Sequence, residues 1–104
     1  MGMAAALDAE TLYLRQFAAT YPNEIAFDAV TESKMRAERI WLPGLHHALK
    51  TGTVIGSERN EEGAIWTVNG ETCDDEQLEI TLEVICDRYH MCVRNIVKVE
   101  RKNR

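Results

Sequence analysis

The chain has 104 residues, of which 45% are hydrophobic and 28% charged, and its formal net charge is -5. This length allows one compact domain with its own hydrophobic core, and the composition is typical of a folded globular protein. An acidic average excludes a strongly basic nucleic-acid clamp. The apolar runs are far shorter than the roughly 20 residues of a membrane helix, and the first residues lack a secretory-signal pattern. We therefore expect no membrane association and a cytoplasmic protein whose three cysteines are reduced.

Charge is distributed unevenly along the chain. The last 17 residues contain six basic residues and one acidic residue, a net charge of +5, whereas the preceding 87 residues carry a net charge of -10. This pattern predicts a basic C-terminal stripe on an acidic body.

Helical periodicity dominates the first half of the chain. Tyr13 and Phe17, four residues apart, lie on the apolar face of a first helix for which Asp8 is the expected cap. Thr31 or Ser33 is the expected cap of a second helix, and a third ends at a glycine. The predicted helices cover Asp8 to about Tyr21, Thr31 to about Trp41, and Pro43 to Gly52.

A strand period replaces the helical period after Gly52. The clearest signal is Leu78–Cys86, where apolar residues alternate with Glu79, Thr81 and Glu83, which indicates one buried and one wet face. The predicted strands cover Ile25–Val30, a segment opening at Thr53–Ile55, Ala64–Val68, Leu78–Cys86, and Met91 to about Val99. The expected fold is α+β, a four- or five-stranded mostly antiparallel sheet with two to three helices packed on one face. We assign residues 1–24 to an N-terminal helical extension and residues 25–104 to a single α+β domain.

Two segments in the middle of the chain carry a family pattern. Residues Lys34–Ile40 and Ala48–Gly52 resemble the pattern H-A-x-x-R-M-x-x-R-x-I … A-L-x-x-G of a small bacterial domain family of unknown function. Residues Gly70–Asp74 and Leu78–Ile80 are similar to that family's G-x-T-x-D-G-x-x-L-x-V segment. Together the motifs cover about Phe27–Val99. The resemblance implies a fold like that of the RelE, ParE and BrnT group of toxin ribonucleases and inhibitors.

The chain departs from this family pattern at four positions. Val30 stands where the family has histidine, Lys34 where it has the first arginine, and Glu38 where it has the second. Asp75 replaces the glycine that follows Asp74. If the family histidine serves an RNA-cleaving site in relatives, this chain lacks that imidazole.

A basic and aromatic segment near the C-terminus is the predicted functional site. Arginine can hold a phosphate with two hydrogen bonds, histidine can exchange a proton near neutral pH, and tyrosine can stack on a base. A ribonuclease without a metal needs these groups to activate the 2′-hydroxyl, protonate the leaving oxygen and hold the phosphate. The catalytic candidates are Arg88, His90 and Arg94, and the binding candidates are Lys34, Tyr89 and Lys98.

Two histidine and cysteine groupings provide alternatives. Cys86, His90 and Cys92 have ligand types that suit zinc, but their C-x-x-x-H-x-C spacing matches no common structural site. His46 and His47 are adjacent on a helix and point about 100 degrees apart, so they do not easily share one ligand. We expect neither a metal nor a cofactor.

Three hypotheses of function follow, and the sequence leaves open whether the protein is an enzyme. The first is a toxin–antitoxin-type RNA-binding or ribonuclease domain like RelE or BrnT, with RNA or a cognate antitoxin-like protein as partner. The second is a non-catalytic protein-interaction or dimerisation module on the same scaffold, which includes a homodimer. The third is a metal- or redox-sensing domain that uses Cys86 and Cys92.

Overall fold

The computed structural model describes residues 7–61, 63–85 and 90–99. Within these residues the chain forms three α-helices, one short 3₁₀ helix and five strands. The helices are α1 (Asp8–Thr20), the 3₁₀ helix (Pro22–Glu24), α2 (Ala29–Glu38) and α3 (Leu42–Thr51). The strands are β1 (Ile25–Phe27), β2 (Thr53–Arg59), β3 (Gly63–Glu71), β4 (Gln77–Ile85) and β5 (His90–Val99).

The five strands form one sheet in the order β1-β5-β4-β3-β2. Strands β2 to β5 make an antiparallel meander, and β1 pairs with β5 in parallel. This architecture confirms the predicted α+β class with a mostly antiparallel sheet. Among the helices described, none is long and apolar enough to cross a membrane.

The two faces of the sheet differ sharply in burial. Alternate residues of β4, from Leu78 to Val84, are at most 5% exposed and belong to one core that includes side chains of all three helices. The helices therefore pack on one face, as predicted. We call the opposite side the outer face. It is exposed or half-buried, and its residues include Gly56, Glu58, Ile65, Thr67, Asn69, Glu71, Glu79, Thr81, Glu83, Cys92, Asn95 and Val97.

Helix α1 joins the sheet along the start of β2. The amide of Leu7 donates to the carbonyl of Val54 at 2.9 Å, and the amide of Val54 donates to Thr11 Oγ1 at 2.9 Å. Arg15 Nε donates to the carbonyl of Gly52 at 2.8 Å. These bonds cover the part of the edge strand that would otherwise expose unpaired backbone groups.

The helix starts differ from the predicted ones. Asp8 does not cap α1, because Leu7 occupies the cap position and makes no side-chain capping bond. The cap of α2 is Asp28, whose Oδ1 accepts the amide of Thr31 at 2.8 Å, so neither Thr31 nor Ser33 has that role. The predicted strand over Ile25–Val30 therefore ends at Phe27, where the capping carboxylate begins a helix.

Thr31 connects α2 to β5 at the point where β1 ends. Its buried hydroxyl lies 3.2 Å from the carbonyl oxygen of Val93 and 3.1 Å from that of Arg94. The β4–β5 register shifts here, so that Val93 faces Leu82 and Asn95 faces Thr81, with Arg94 as an extra residue. The hydroxyl thus satisfies carbonyls that β1 is too short to reach.

Replacing Thr31 by valine removes this hydroxyl while keeping the shape of the side chain. We expect Thr31→Val to lower the free energy of unfolding by about 1–3 kcal/mol, because buried carbonyls lose their donor. Urea denaturation measures the change. The control is Thr81→Val on the outer face, which should change the value by less than about 0.5 kcal/mol. Equal stability of the Thr31 variant and the wild type would contradict this role.

Candidate functional site

Of the predicted catalytic residues Arg88, His90 and Arg94, the structure describes the side chain of Arg94. Arg94 occupies the bulge of β5 and lies over the outer face, where it meets Glu83 of β4. Arg94 Nε donates to Glu83 Oε1 at 2.7 Å, and Nη2 lies 2.5 Å from the same oxygen. Arg94 Nη1 also lies 3.5 Å from Asp28 Oδ2 at the start of α2. The guanidinium is therefore held between two carboxylates from different elements.

The ionisation of this cluster follows from its hydrogen bonds. The backbone amide and side chain of Thr31 lower the pKa of Asp28, and Arg94 lowers it further. The hydrogen bond to Glu83 is the main cause that raises the pKa of Arg94. Both groups stay charged at neutral pH, which makes the cluster a stable ion-paired network rather than a source of protons.

Cys92 lies on the same face, directly opposite Glu83 in the β4–β5 pairing. The thiol is half-buried, and this burial is the main cause that raises its pKa. A thiol with a raised pKa is mostly protonated at neutral pH, and only the thiolate is a strong nucleophile or metal ligand. This arrangement does not favour covalent or redox chemistry at Cys92.

The other two described cations of the predicted site are also engaged. Lys34 Nζ of α2 donates to Asn95 Oδ1 at 3.2 Å. Lys98 Nζ lies 3.0 Å from Glu76 Oε2, and Lys98 faces Leu78 on the helix side of the sheet. Arg94 and Lys98 therefore lie on opposite faces, and the structure does not bring them together.

The remaining predictions fall partly outside the described residues. Arg88, Tyr89 and Cys86 lie outside them, as does the side chain of His90, whose backbone begins β5. Val30, at the position of the family histidine, is on α2 and 75% exposed. Within the described part of the chain, no three His, Cys, Asp or Glu side chains are placed to hold a metal ion.

Sequence reasoning missed the two acids that hold Arg94. The Asp28-x-x-Thr31 spacing is a capping pattern that could have revealed Asp28 as the start of α2. Glu83 had no comparable signal, because it is one of several polar residues that alternate along β4. Its pairing with Arg94 depends on the β4–β5 register.

Comparison of the chain with protein-family models, with curated proteins and with solved structures found no match.

The lowered pKa of Asp28 predicts a stability that depends on pH. At pH values above 3.8, the ordinary pKa of aspartate, an ionised Asp28 stabilises the folded state. This contribution is lost as the pH falls through the lowered pKa that Asp28 has in the folded state. In Asp28→Asn the cap is retained but the charge is lost. We expect wild type to have the higher urea midpoint at neutral pH, with a difference that shrinks in acid.

The matched control for this prediction is Glu61→Gln, at an exposed position within the β2–β3 connection. Its difference from wild type should be smaller and less dependent on pH. A difference for Asp28→Asn that is constant from neutral to acid pH would show that the Asp28 charge does not stabilise the fold.

Proposed function

We propose that this chain is a non-catalytic protein-interaction module whose outer face binds a basic partner protein. The observation that carries the proposal is the state of the predicted cations. Every predicted cation whose side chain is described contacts another residue of the chain. Arg94 pairs with Glu83 and Asp28. Lys98 pairs with Glu76, and Lys34 donates to Asn95.

A phosphate would have to compete with these contacts. Two carboxylates already occupy donors of the Arg94 guanidinium, and releasing them would leave Glu83, with its side chain 14% exposed, without its cation. The acids also place negative charge next to any phosphate that approached Arg94. These electrostatics favour a protein partner over RNA.

The competing hypothesis is the RelE- or BrnT-like ribonuclease, supported by the family resemblance and by the basic C-terminal sequence. It would require His90 and Arg88 to supply the chemistry while Arg94 exchanges its carboxylates for a phosphate. Measuring cleavage and binding of RNA distinguishes it from the interaction module.

Strand register gives the outer face a row of small neutral side chains across its middle. Gly56, Thr67, Thr81 and Asn95 follow one another across four strands. The rows on either side carry longer or charged side chains. They contain Glu58, Ile65 and Glu83 on one side, and Asn69, Glu79 and Val97 on the other.

The charges of this face select the kind of partner. Glu58 and Glu79 are exposed on opposite sides of the neutral row. The two described cations that contact this face are engaged within the chain, Arg94 with Glu83 and Lys34 with Asn95. A second copy presenting the same acidic face would be repelled, and so would a nucleic acid. Val97, 38% exposed, adds apolar surface at the edge of the row. The complementary surface is a basic segment of another protein.

The RNA experiment measures cleavage and binding of a labelled messenger RNA by the purified full chain, together with growth arrest on expression. We expect no cleavage, no arrest, and binding no tighter than a nonspecific Kd of about 10⁻⁴ M at physiological salt. The variants His90→Ala and Arg94→Ala should behave like wild type in these assays. Cleavage by wild type that His90→Ala abolishes, with its unfolding midpoint retained, would replace this proposal with the ribonuclease.

The protein-binding experiment uses a ten-residue oligolysine peptide as probe and follows backbone amide shifts by NMR. We expect the shifts to concentrate on the outer face, around Thr67 and Thr81. The double variant Glu58→Gln/Glu79→Gln should weaken binding by about tenfold, as expected for the loss of two favourable charge contacts.

The matched control is Glu32→Gln/Glu38→Gln, which removes the same charge from exposed positions of α2. Equal weakening by both double variants would show that only the net charge matters. Shifts that concentrate on another acidic segment, such as Asp74–Glu76, would place the basic partner elsewhere. Either result would contradict binding at the outer face.

A further inference from the structure

A small cavity lies where the start of α3 meets the turn that connects β3 to β4. Its volume is about 210 Å³. This volume corresponds to roughly seven water molecules at about 30 Å³ each, and it is below the usual range of pockets for drug-sized ligands. The cavity suits a ligand the size of one amino acid.

One wall of the cavity is apolar. It contains Trp41, at the cap position of α3, and Pro43 in the first turn of the helix. Trp41 is 61% exposed, whereas the other tryptophan, Trp66, is 6% exposed in the core. A tryptophan beside a cavity provides a large rigid surface for an apolar group of a ligand.

The charged residues that line the cavity are of both signs. They are Arg39, Asp74 and Glu76. Glu76 is neutralised by Lys98, whose Nζ lies 3.0 Å away. Among the described residues, neither Arg39 nor Asp74 has an ion-pair partner. One arginine and one aspartate without an ion-pair partner among the described residues therefore line the same cavity.

Hydrogen bonds within the chain hold the turn that carries Asp74. Thr72 is buried, and its Oγ1 accepts the amides of Asp74 and Glu76, each at 3.2 Å. A Cβ on Gly44 would lie 3.3 Å from Thr72 Cβ, so glycine allows the start of α3 to approach the turn closely. This close approach sets the position of Asp74 relative to the helix.

The segment on the other side of the cavity has an unusual backbone. Arg39 ends α2 in the left-handed conformation, with φ of 59° and ψ of 43°. Asp75, in the turn after Asp74, also has a positive φ of 65°. Left-handed residues other than glycine are uncommon, so both sides of the cavity have backbone that the surrounding contacts must hold in place.

We propose that this cavity binds a free α-amino acid with an apolar side chain. The ligand carboxylate pairs with Arg39, its ammonium group pairs with Asp74, and its side chain lies against Trp41. A phosphate would be repelled by Asp74, and a simple cation would be repelled by Arg39, whereas a zwitterion matches both charges. The proposal does not depend on the outer face or its partner.

The test compares three probes of the same shape. They are L-phenylalanine, phenethylamine, which lacks the carboxylate, and 3-phenylpropanoate, which lacks the ammonium group. NMR follows the indole Nε1–H resonances of Trp41 and Trp66, and the buried Trp66 serves as internal reference. We expect L-phenylalanine to shift the Trp41 resonance with a Kd of about 1 mM or tighter, and each analogue to bind about tenfold more weakly.

Charge-matched variants test the two polar contacts. Asp74→Asn and Arg39→Gln should each weaken L-phenylalanine binding by about tenfold. Asp75→Asn, at the neighbouring left-handed position, and Arg36→Gln, on exposed α2, are the controls and should leave the Kd within about twofold of wild type. Backbone amide spectra check that each variant is folded.

Several results would overturn the proposal. These are no shift of Trp41 with L-phenylalanine, equal binding of L-phenylalanine and either analogue, and equal weakening by Asp74→Asn and Asp75→Asn. The three probes are not polycations, and the variants of this test do not change the outer face. A negative result at the cavity would therefore say nothing about binding of a basic partner to the outer face.

Discussion

The burial of one face of β4 is the constraint on which the rest of the structure depends. β4 lies at the centre of the sheet, and its alternate residues Leu78, Ile80 and Leu82 are at most 1% exposed. Burying each such side chain is worth roughly 1.5–3 kcal/mol, and a register slip of one residue would turn all of them towards solvent. Because this face has to be covered, all three helices contribute to the core there, and the outer face stays open.

The same constraint explains why the charge of Arg94 in the candidate site is paired within the chain. β1 is short, so α2 takes over its place beside β5, and Thr31 provides the donor that the missing strand would have supplied. The bulge at this point turns Arg94 towards the outer face, within reach of Glu83 and Asp28. An arginine between two carboxylates has most of its field compensated, so the contact that joins the helix to the sheet also reduces its attraction for phosphate.

Particular elements show how far the sequence predicts this fold. The alternation of β4 and the apolar face of α1 identify those elements within a residue or two, because each periodicity is a local property of the chain. The predicted cap of α2 at Thr31 or Ser33 was wrong, since the β-branched and aromatic content of Ile25–Val30 favoured a strand up to Val30. The Asp28 cap outweighed that propensity by satisfying an amide in the first turn of the helix.

The sequence by itself determined the class of fold, the change to strands after Gly52 and the acidic character of the body. These features depend on residue types and on spacings of a few residues. Tertiary structure alone decided which charges are paired and where a cavity forms. Arg94 contacts Asp28 across 66 positions of sequence, and Trp41 and Asp74 line one cavity only because α3 packs against the turn after β3. Electrostatic pairing and cavities depend on distance in space, which no local pattern in the sequence encodes.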